Sequence, residues 1–317
     1  MSRPRVLVTE GIHPIGIERL AREVEPIYLP DHPGETAEQY LPEVDGIIVR
    51  TFPLSAETLR GARKLRVIGK HGVGVDNIDL AAARAQGIRV VSTPGANAEA
   101  VAEHALMLML VLARRLPTYQ QMLREGHFAL ARRSALAMDL QGRILGLVGL
   151  GQVGGRLARI CRQGLGMHVL AYDPYVATER ADELGVELMP ALGPVLEAAD
   201  ILSIHAPLTP ETRGLIGREE LARMKPSAIL INCARGGLVD EEALLEALRA
   251  GRLAGAGLDV FAEEPVSPEH PLLRLPNVVA TPHVAGSSAE AFRLMAETVA
   301  EDVLRVLRGE APLYPLV

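Results

Sequence analysis

Only two cysteines, Cys161 and Cys233, occur in 317 residues. Two thiols are too few for a disulfide framework or a four-ligand zinc site, and the N-terminal Met-Ser-Arg-Pro-Arg leads into a strand-like segment rather than a secretion signal. A reducing, cytoplasmic setting without a bound metal is the expectation. No uninterrupted apolar run exceeds the nine residues Ala105–Ala113, whereas a membrane-spanning helix needs about 20. The net charge is −6 and no run of five or more Lys or Arg is present, so neither a membrane nor nucleic acid is an expected partner. Lysine is scarce, at three residues against thirty arginines, and asparagine occurs four times. That bias fits a GC-rich genome or a warm habitat equally well.

The remaining composition is that of a two-domain globular chain, 48% hydrophobic and 23% charged, with 30 Gly and 22 Pro scattered between apolar segments. Short apolar runs at Arg5–Thr9, Gly46–Val49, Arg66–Ile68 and Arg89–Val91 alternate with helix-like stretches such as Ile15–Glu23 and Ser55–Gly61. After a long helix-like segment, Ala98–Leu116, a second series follows at Ile144–Val148, His168–Tyr172, Ile201–Ile204, Ala228–Ile231, Ala254–Leu258 and Val278–Thr281. Strands alternating with helices build parallel sheets. The expected fold is therefore α/β, two Rossmann-like or flavodoxin-like doubly wound domains with a cleft between them. Ser287–Arg308 reads as one amphipathic helix that either returns to the first domain or finishes the second.

Gly149-Leu-Gly151-Gln152-Val153-Gly154 follows one strand-like run and opens a helix, the context a dinucleotide fingerprint requires. The first glycine permits the tight turn, the second lets backbone approach a pyrophosphate, and the third lets the helix pack closely. The N–H groups of Gln152 and Val153 then face the phosphates at a helix N-terminus. Asp173 lies at the end of the next strand, where a carboxylate accepts from a ribose and repels a 2′-phosphate. NAD is expected over NADP. Three further segments end strands: Asn232–Gly237, Phe261–Pro265 and Thr281-Pro282-His283.

Together with Gly72–Ile78, Thr93–Asn97, Val101–His104, His205–Thr212 and Gly257–Phe261, these segments resemble the D-isomer-specific 2-hydroxyacid dehydrogenase family over nearly the whole chain. The resemblance implies a substrate domain of residues 1–97 plus 288–317 and an NAD-binding domain of residues 98–287. It implies that Arg235 holds the substrate carboxylate and polarises its carbonyl. Glu264 would orient His283 and favour its imidazolium, and His283 would donate the proton in reduction and accept it in oxidation. His205, Pro207, Thr212, Cys233, Ala234, Asp259 and Gly286 would line the cofactor, with Asp259 at the nicotinamide carboxamide. His205 has the alternative of packing locally, and Cys233 reads as a packing residue rather than a nucleophile.

The backbone of Gly72, Val73 and Gly74 would bind the substrate carboxylate, with Arg50, Lys70 and Arg132 as cations around the substrate. Such charge suits a phosphorylated acid and aligns the chain with 3-phosphoglycerate dehydrogenases. If those residues are ordinary surface ion pairs, glyoxylate or hydroxypyruvate suits equally. Val317 follows the last helix directly, without the regulatory domain many such enzymes carry, so feedback through such a domain is not expected. The apolar Ala98–Leu116 segment predicts a homodimer. A corepressor-like NAD sensor is the rival from another class.

Overall fold

A computed structural model describes residues 3–134 and 137–317. The chain divides into two units, one formed by Met1–Asn97 with Ser287–Val317 and one by Ala98–Gly286. In the first, five short strands, β1 (Arg5–Val8), β2 (Glu25–Tyr28), β3 (Gly46–Val49), β4 (Val67–Lys70) and β5 (Arg89–Val91), form a parallel sheet in the order β2-β1-β3-β4-β5. β1, β3 and β4 are almost entirely buried because both faces are covered, as parallel sheets require. One face packs Val6, Val8, Ile48 and Val67 against Ala296, Val299, Ala300 and Val303 of the helix Ala289–Leu307. That helix starts where the Ser288 hydroxyl accepts the Ala291 N–H, a stabilising N-cap.

The second unit carries β6 (Ile144–Val148), β7 (His168–Tyr172), β8 (Glu187–Leu188), β9 (Ile201–Ile204), β10 (Ile229–Asn232), β11 (Gly255–Leu258) and β12 (Val278–Ala280). Their order is β12-β11-β10-β9-β6-β7-β8, all parallel. The order reverses at the β6/β9 boundary, the switch point where such sheets leave a crevice at their C-terminal ends. The corresponding point of the first sheet is β1/β3.

The expected helix Ala98–Leu116 ends at Ala113, and a second begins at Leu116 and runs to Arg124. Arg115 takes φ +50°, which breaks the helical path, and Pro117 fits the first turn of the next helix, where an N–H has no partner to lose. Among the described residues no helix is long and apolar enough to cross a membrane, and no cluster of His, Cys, Asp and Glu is arranged to hold a metal.

Candidate active site

In the second unit the glycine fingerprint spans the end of β6 and the start of the helix Gln152–Leu165. Gly149 sits at φ +96°, and any Cβ there would lie 2.9 Å from the His205 carbonyl; a Cβ on Gly154 would lie 2.3 Å from the Gly149 oxygen. Only glycines let this helix start so close to the strand. A Cβ on Gly151 would meet nothing within 4 Å, which leaves its backbone open to an approaching group. Asp173, just after β7, accepts the Leu150 N–H at 2.8 Å and the Tyr175 N–H at 2.9 Å, so its carboxylate ties the fingerprint turn to the next strand. Beside it lies a recess of about 330 Å³ lined by Tyr172, Asp173, Pro174, Val176, Leu188, Met189 and Pro190. An open turn, a helix N-terminus and a carboxylate beside a recess fit a dinucleotide.

Beneath the fingerprint, burial pushes the His205 imidazole down to about 4, and its Nε2 meets the Ser203 hydroxyl at 2.9 Å. His205 is thus held neutral beside Ser203. Thr212 folds back on its own loop, its hydroxyl donating to the Pro207 carbonyl at 2.7 Å. Burial also raises both thiols, that of Cys161 to about 12, so neither is a nucleophile at neutral pH.

Three loops at the C-terminal ends of β10, β11 and β12 hold the chemically interesting side chains. After β10, the buried Asn232 shapes the turn Cys233-Ala234-Arg235: its amide donates to the Arg235 carbonyl at 2.9 Å and its oxygen accepts the Ala234 N–H at 3.0 Å. The next residue, Gly236, lies against the β11 loop so tightly that a Cβ would fall 1.9 Å from the Phe261 carbonyl carbon. This contact draws the Arg235 and Glu264 loops together. Glu264 Oε1 accepts the Phe261 N–H at 3.0 Å, and Oε2 meets His283 Nδ1 at 2.7 Å. Burial opposes ionisation of Glu264, but the hydrogen bonds from His283 and Phe261 and the charges of His283 and Arg235 prevail, holding its carboxyl below the usual range. Glu264 thus feels the charges of both Arg235 and His283.

His283 adopts φ +53°, which among the described non-glycine residues only Arg115 shares. The fully buried Asp259 holds that conformation. Its Oδ1 accepts the Val284 N–H at 2.9 Å and the Thr281 hydroxyl at 2.6 Å, its Oδ2 accepts the Ala285 N–H at 2.8 Å, and its carbonyl accepts the His283 N–H at 2.8 Å. Since the single Thr281 hydroxyl proton goes to Asp259, His104 Nε2, 2.9 Å from that hydroxyl, must be the donor to it. His104 and Thr281 brace the His283 loop and were not singled out by the sequence for this. Gly286 ends the same segment. Arg132 stands exposed at the end of the helix Phe128–Arg133.

In the first unit the Lys70–Asn77 loop follows β4. Lys70 is 8% exposed, and its ammonium donates to the Arg50 carbonyl and, at 2.6 Å, to Asn77 Oδ1. The Gly72 N–H is engaged by the Lys70 carbonyl at 3.0 Å and the Thr93 hydroxyl at 3.2 Å. Those of Val73 and Gly74 have no partner among the described residues. Arg50, after β3, stacks over the Phe292 ring at 4.6 Å and donates to the Gly11 carbonyl at 3.3 Å. It faces no carboxylate ion-pair partner among the described residues. His71 packs edge-on against the same ring, and burial together with the Arg50 charge pushes its imidazole down to about 4.

A family model described as "D-isomer specific 2-hydroxyacid dehydrogenase, NAD binding domain" matches residues 106–285. The chain belongs to this family. Among its relatives, the D-3-phosphoglycerate dehydrogenase of Methanocaldococcus jannaschii is 42% identical over 310 residues, covering 96% of this chain and 58% of that protein. The glyoxylate reductase of Korarchaeum cryptofilum is 41% identical over 316 residues, covering 98% of this chain and 95% of that protein. A solved NADPH-dependent glyoxylate/hydroxypyruvate reductase from Sinorhizobium meliloti, in complex with NADP and malonate, superposes with a TM-score of 0.85 at 35% identity, covering 100% of this chain and 97% of that one. The chain spans between 50% and 58% of the length of the two phosphoglycerate dehydrogenases from Archaeoglobus fulgidus and M. jannaschii.

Proposed function

We propose that the protein is an NAD-dependent D-2-hydroxyacid dehydrogenase that interconverts D-3-phosphoglycerate and 3-phosphohydroxypyruvate. The observation that carries the dehydrogenase reading is the 2.7 Å contact between Glu264 and His283 beside Arg235. When bound, the nicotinamide supplies or accepts the hydride at the C2 carbon of the acid. Arg235 holds the substrate carboxylate and polarises the C2 carbonyl, a task suited to the planar guanidinium. In the first unit the N–H groups of Val73 and Gly74, without partners among the described residues, suit an acid's carboxylate. In reduction the imidazolium of His283 gives its proton to the oxygen at C2, and in oxidation the neutral ring takes it back; Glu264 keeps the ring oriented through Nδ1. One 2-keto acid, one reduced cofactor and one proton thus yield one 2-hydroxy acid and one oxidised cofactor. Asp173 favours NAD by repelling a 2′-phosphate.

The phosphorylated substrate is supported by Arg50, a half-buried guanidinium with no carboxylate partner among the described residues. A second reading, reduction of glyoxylate or hydroxypyruvate, is favoured by Lys70, whose ammonium is already engaged by Arg50 and Asn77. The glyoxylate reductase of K. cryptofilum is matched over 95% of its own length. The two free cysteines suit a reducing, cytoplasmic setting, and the exposed Met107, Leu110 and Leu116 suit a homodimer. The test is oxidation of NADH with 3-phosphohydroxypyruvate, hydroxypyruvate, glyoxylate and pyruvate under matched conditions. Preference for the phosphorylated acid is the expected result; preference for glyoxylate or hydroxypyruvate moves the second reading to the front, and inactivity on all four rejects both.

A further inference from the structure

Glu10, in the loop after β1, is the most heavily hydrogen-bonded carboxylate near the C-terminal edge of the first sheet, and the proposed chemistry makes no use of it. Its Oε2 accepts the Arg50 N–H at 2.7 Å; its Oε1 accepts the Thr51 N–H at 2.5 Å and the Phe52 N–H at 3.1 Å. The hydroxyls of Thr51 and Thr9 donate to the same carboxylate at 2.5 and 2.7 Å. Three consecutive N–H groups converging on one point form an anion-binding concavity, and the protein fills it with its own side chain. Burial opposes ionisation, but these bonds prevail and hold Glu10 below the usual carboxylate range.

The consequence falls on Arg50. Its N–H is held by Glu10, its carbonyl by the Lys70 ammonium, and its guanidinium by the Phe292 ring and the Gly11 carbonyl. A long cation that ordinarily samples many rotamers is fixed before any ligand arrives, and a fixed donor binds an anion with less loss of entropy. Had Glu10 paired with the guanidinium, Arg50 would be neutralised; instead its charge is taken up by backbone dipoles and hydroxyls. We propose that Glu10 is a positioning residue that presets Arg50 for the distal anionic group of the substrate, and so sets selectivity for a phosphorylated acid over its unphosphorylated counterpart. Lys70 serves the same end from the other side of the peptide.

This proposal rests on the phosphorylated-acid reading, and the experiment separates the two. Selectivity is read as the ratio of kcat/KM for 3-phosphohydroxypyruvate to that for hydroxypyruvate, in wild type, Glu10→Gln, Arg50→Ala and the double variant. Glu10→Gln should lower the ratio by about tenfold, chiefly through KM for the phosphorylated acid, and the double variant should show no lower ratio than Arg50→Ala alone, because coupled residues are not additive. If Glu10→Gln weakens both substrates equally, or its effect adds in full to that of Arg50→Ala, Glu10 is merely structural and the proposal falls. If Arg50→Ala collapses selectivity but Glu10→Gln leaves it intact, only this proposal fails. If Arg50→Ala itself leaves the ratio unchanged, the phosphate reading fails and takes the proposal with it. Should Glu10→Gln not fold, Glu10→Asp keeps the charge but withdraws it by one methylene; it too must lower the ratio, and an unchanged ratio rejects the role.

Discussion

His283 combines a reactive ring with an uncommon backbone. A left-handed conformation in a residue other than glycine costs on the order of 1 kcal/mol or more, and here Asp259, Thr281 and His104 offset that cost by bracing the loop. His283→Ala should reduce turnover by about 10²- to 10⁴-fold while leaving NADH binding, measured by fluorescence titration, at wild-type affinity; wild-type turnover would remove His283 from its role. Glu264→Gln keeps a hydrogen-bond acceptor for Nδ1 but removes the carboxylate charge beside the ring. Turnover should fall while NADH affinity holds, and wild-type turnover would show that orientation alone matters. The strand-end placement of Arg235, Glu264 and His283 was legible because each sits in a local motif. The Glu10 contacts were not, since they arise where loops 40 residues apart meet, and the bond of Lys70 to the Arg50 carbonyl likewise leaves no trace in spacing.

At the scale of elements, most strands coincide with the apolar runs to within a residue or two, because a strand covered on both faces writes itself as a continuous apolar segment. β2 escaped, since Glu25-Pro26-Ile27-Tyr28 is a short edge strand with a proline and a charge. β8 is only two residues long and carries no periodicity to read. The break at Arg115 is equally silent, as the apolar pattern continues to Leu116 across it. The contact of Gly236 with the β11 loop is the joint on which the Arg235 and Glu264 loops depend. A methyl group there forces the two loops apart, so Gly236→Ala should cost about 1–3 kcal/mol, lowering Tm by several degrees, and reduce kcat more than it raises KM for NADH. A variant with wild-type Tm and kcat would mean that the loops separate without consequence.

At the scale of the whole molecule, each unit carries a histidine held down to about 4 from a usual 6.5 by desolvation, His71 in the first and His205 in the second. Above pH 6.5 neither protonates in the folded or unfolded chain, and stability is insensitive to them. As the pH falls from 6.5 towards 4, the unfolded chain takes up protons that the folded chain refuses, and each histidine withdraws up to roughly 1.4 kcal/mol per pH unit. Calorimetry at pH 7, 6 and 5 should show Tm falling through this window, with His71→Asn flattening the fall; a constant Tm rejects the linkage. Glu10 and Glu264 act further down: their contribution is complete above about 4.5 and lost as the pH drops through their lowered values. The division of the first unit into two chain segments has a further consequence, for synthesis. Its sheet is complete once Val91 leaves the ribosome, but the helix Ala289–Leu307 that seals one face follows roughly 200 residues later, about 10–40 s at ordinary translation rates. Released chains truncated after residue 286 should therefore be cut by protease within residues 1–97 while the second unit resists, and equal resistance would contradict this order. For that interval Val6, Val8, Ile48 and Val67 present an unsealed apolar face, which makes the nascent first segment of this unit a client for chaperones until the helix Ala289–Leu307 arrives.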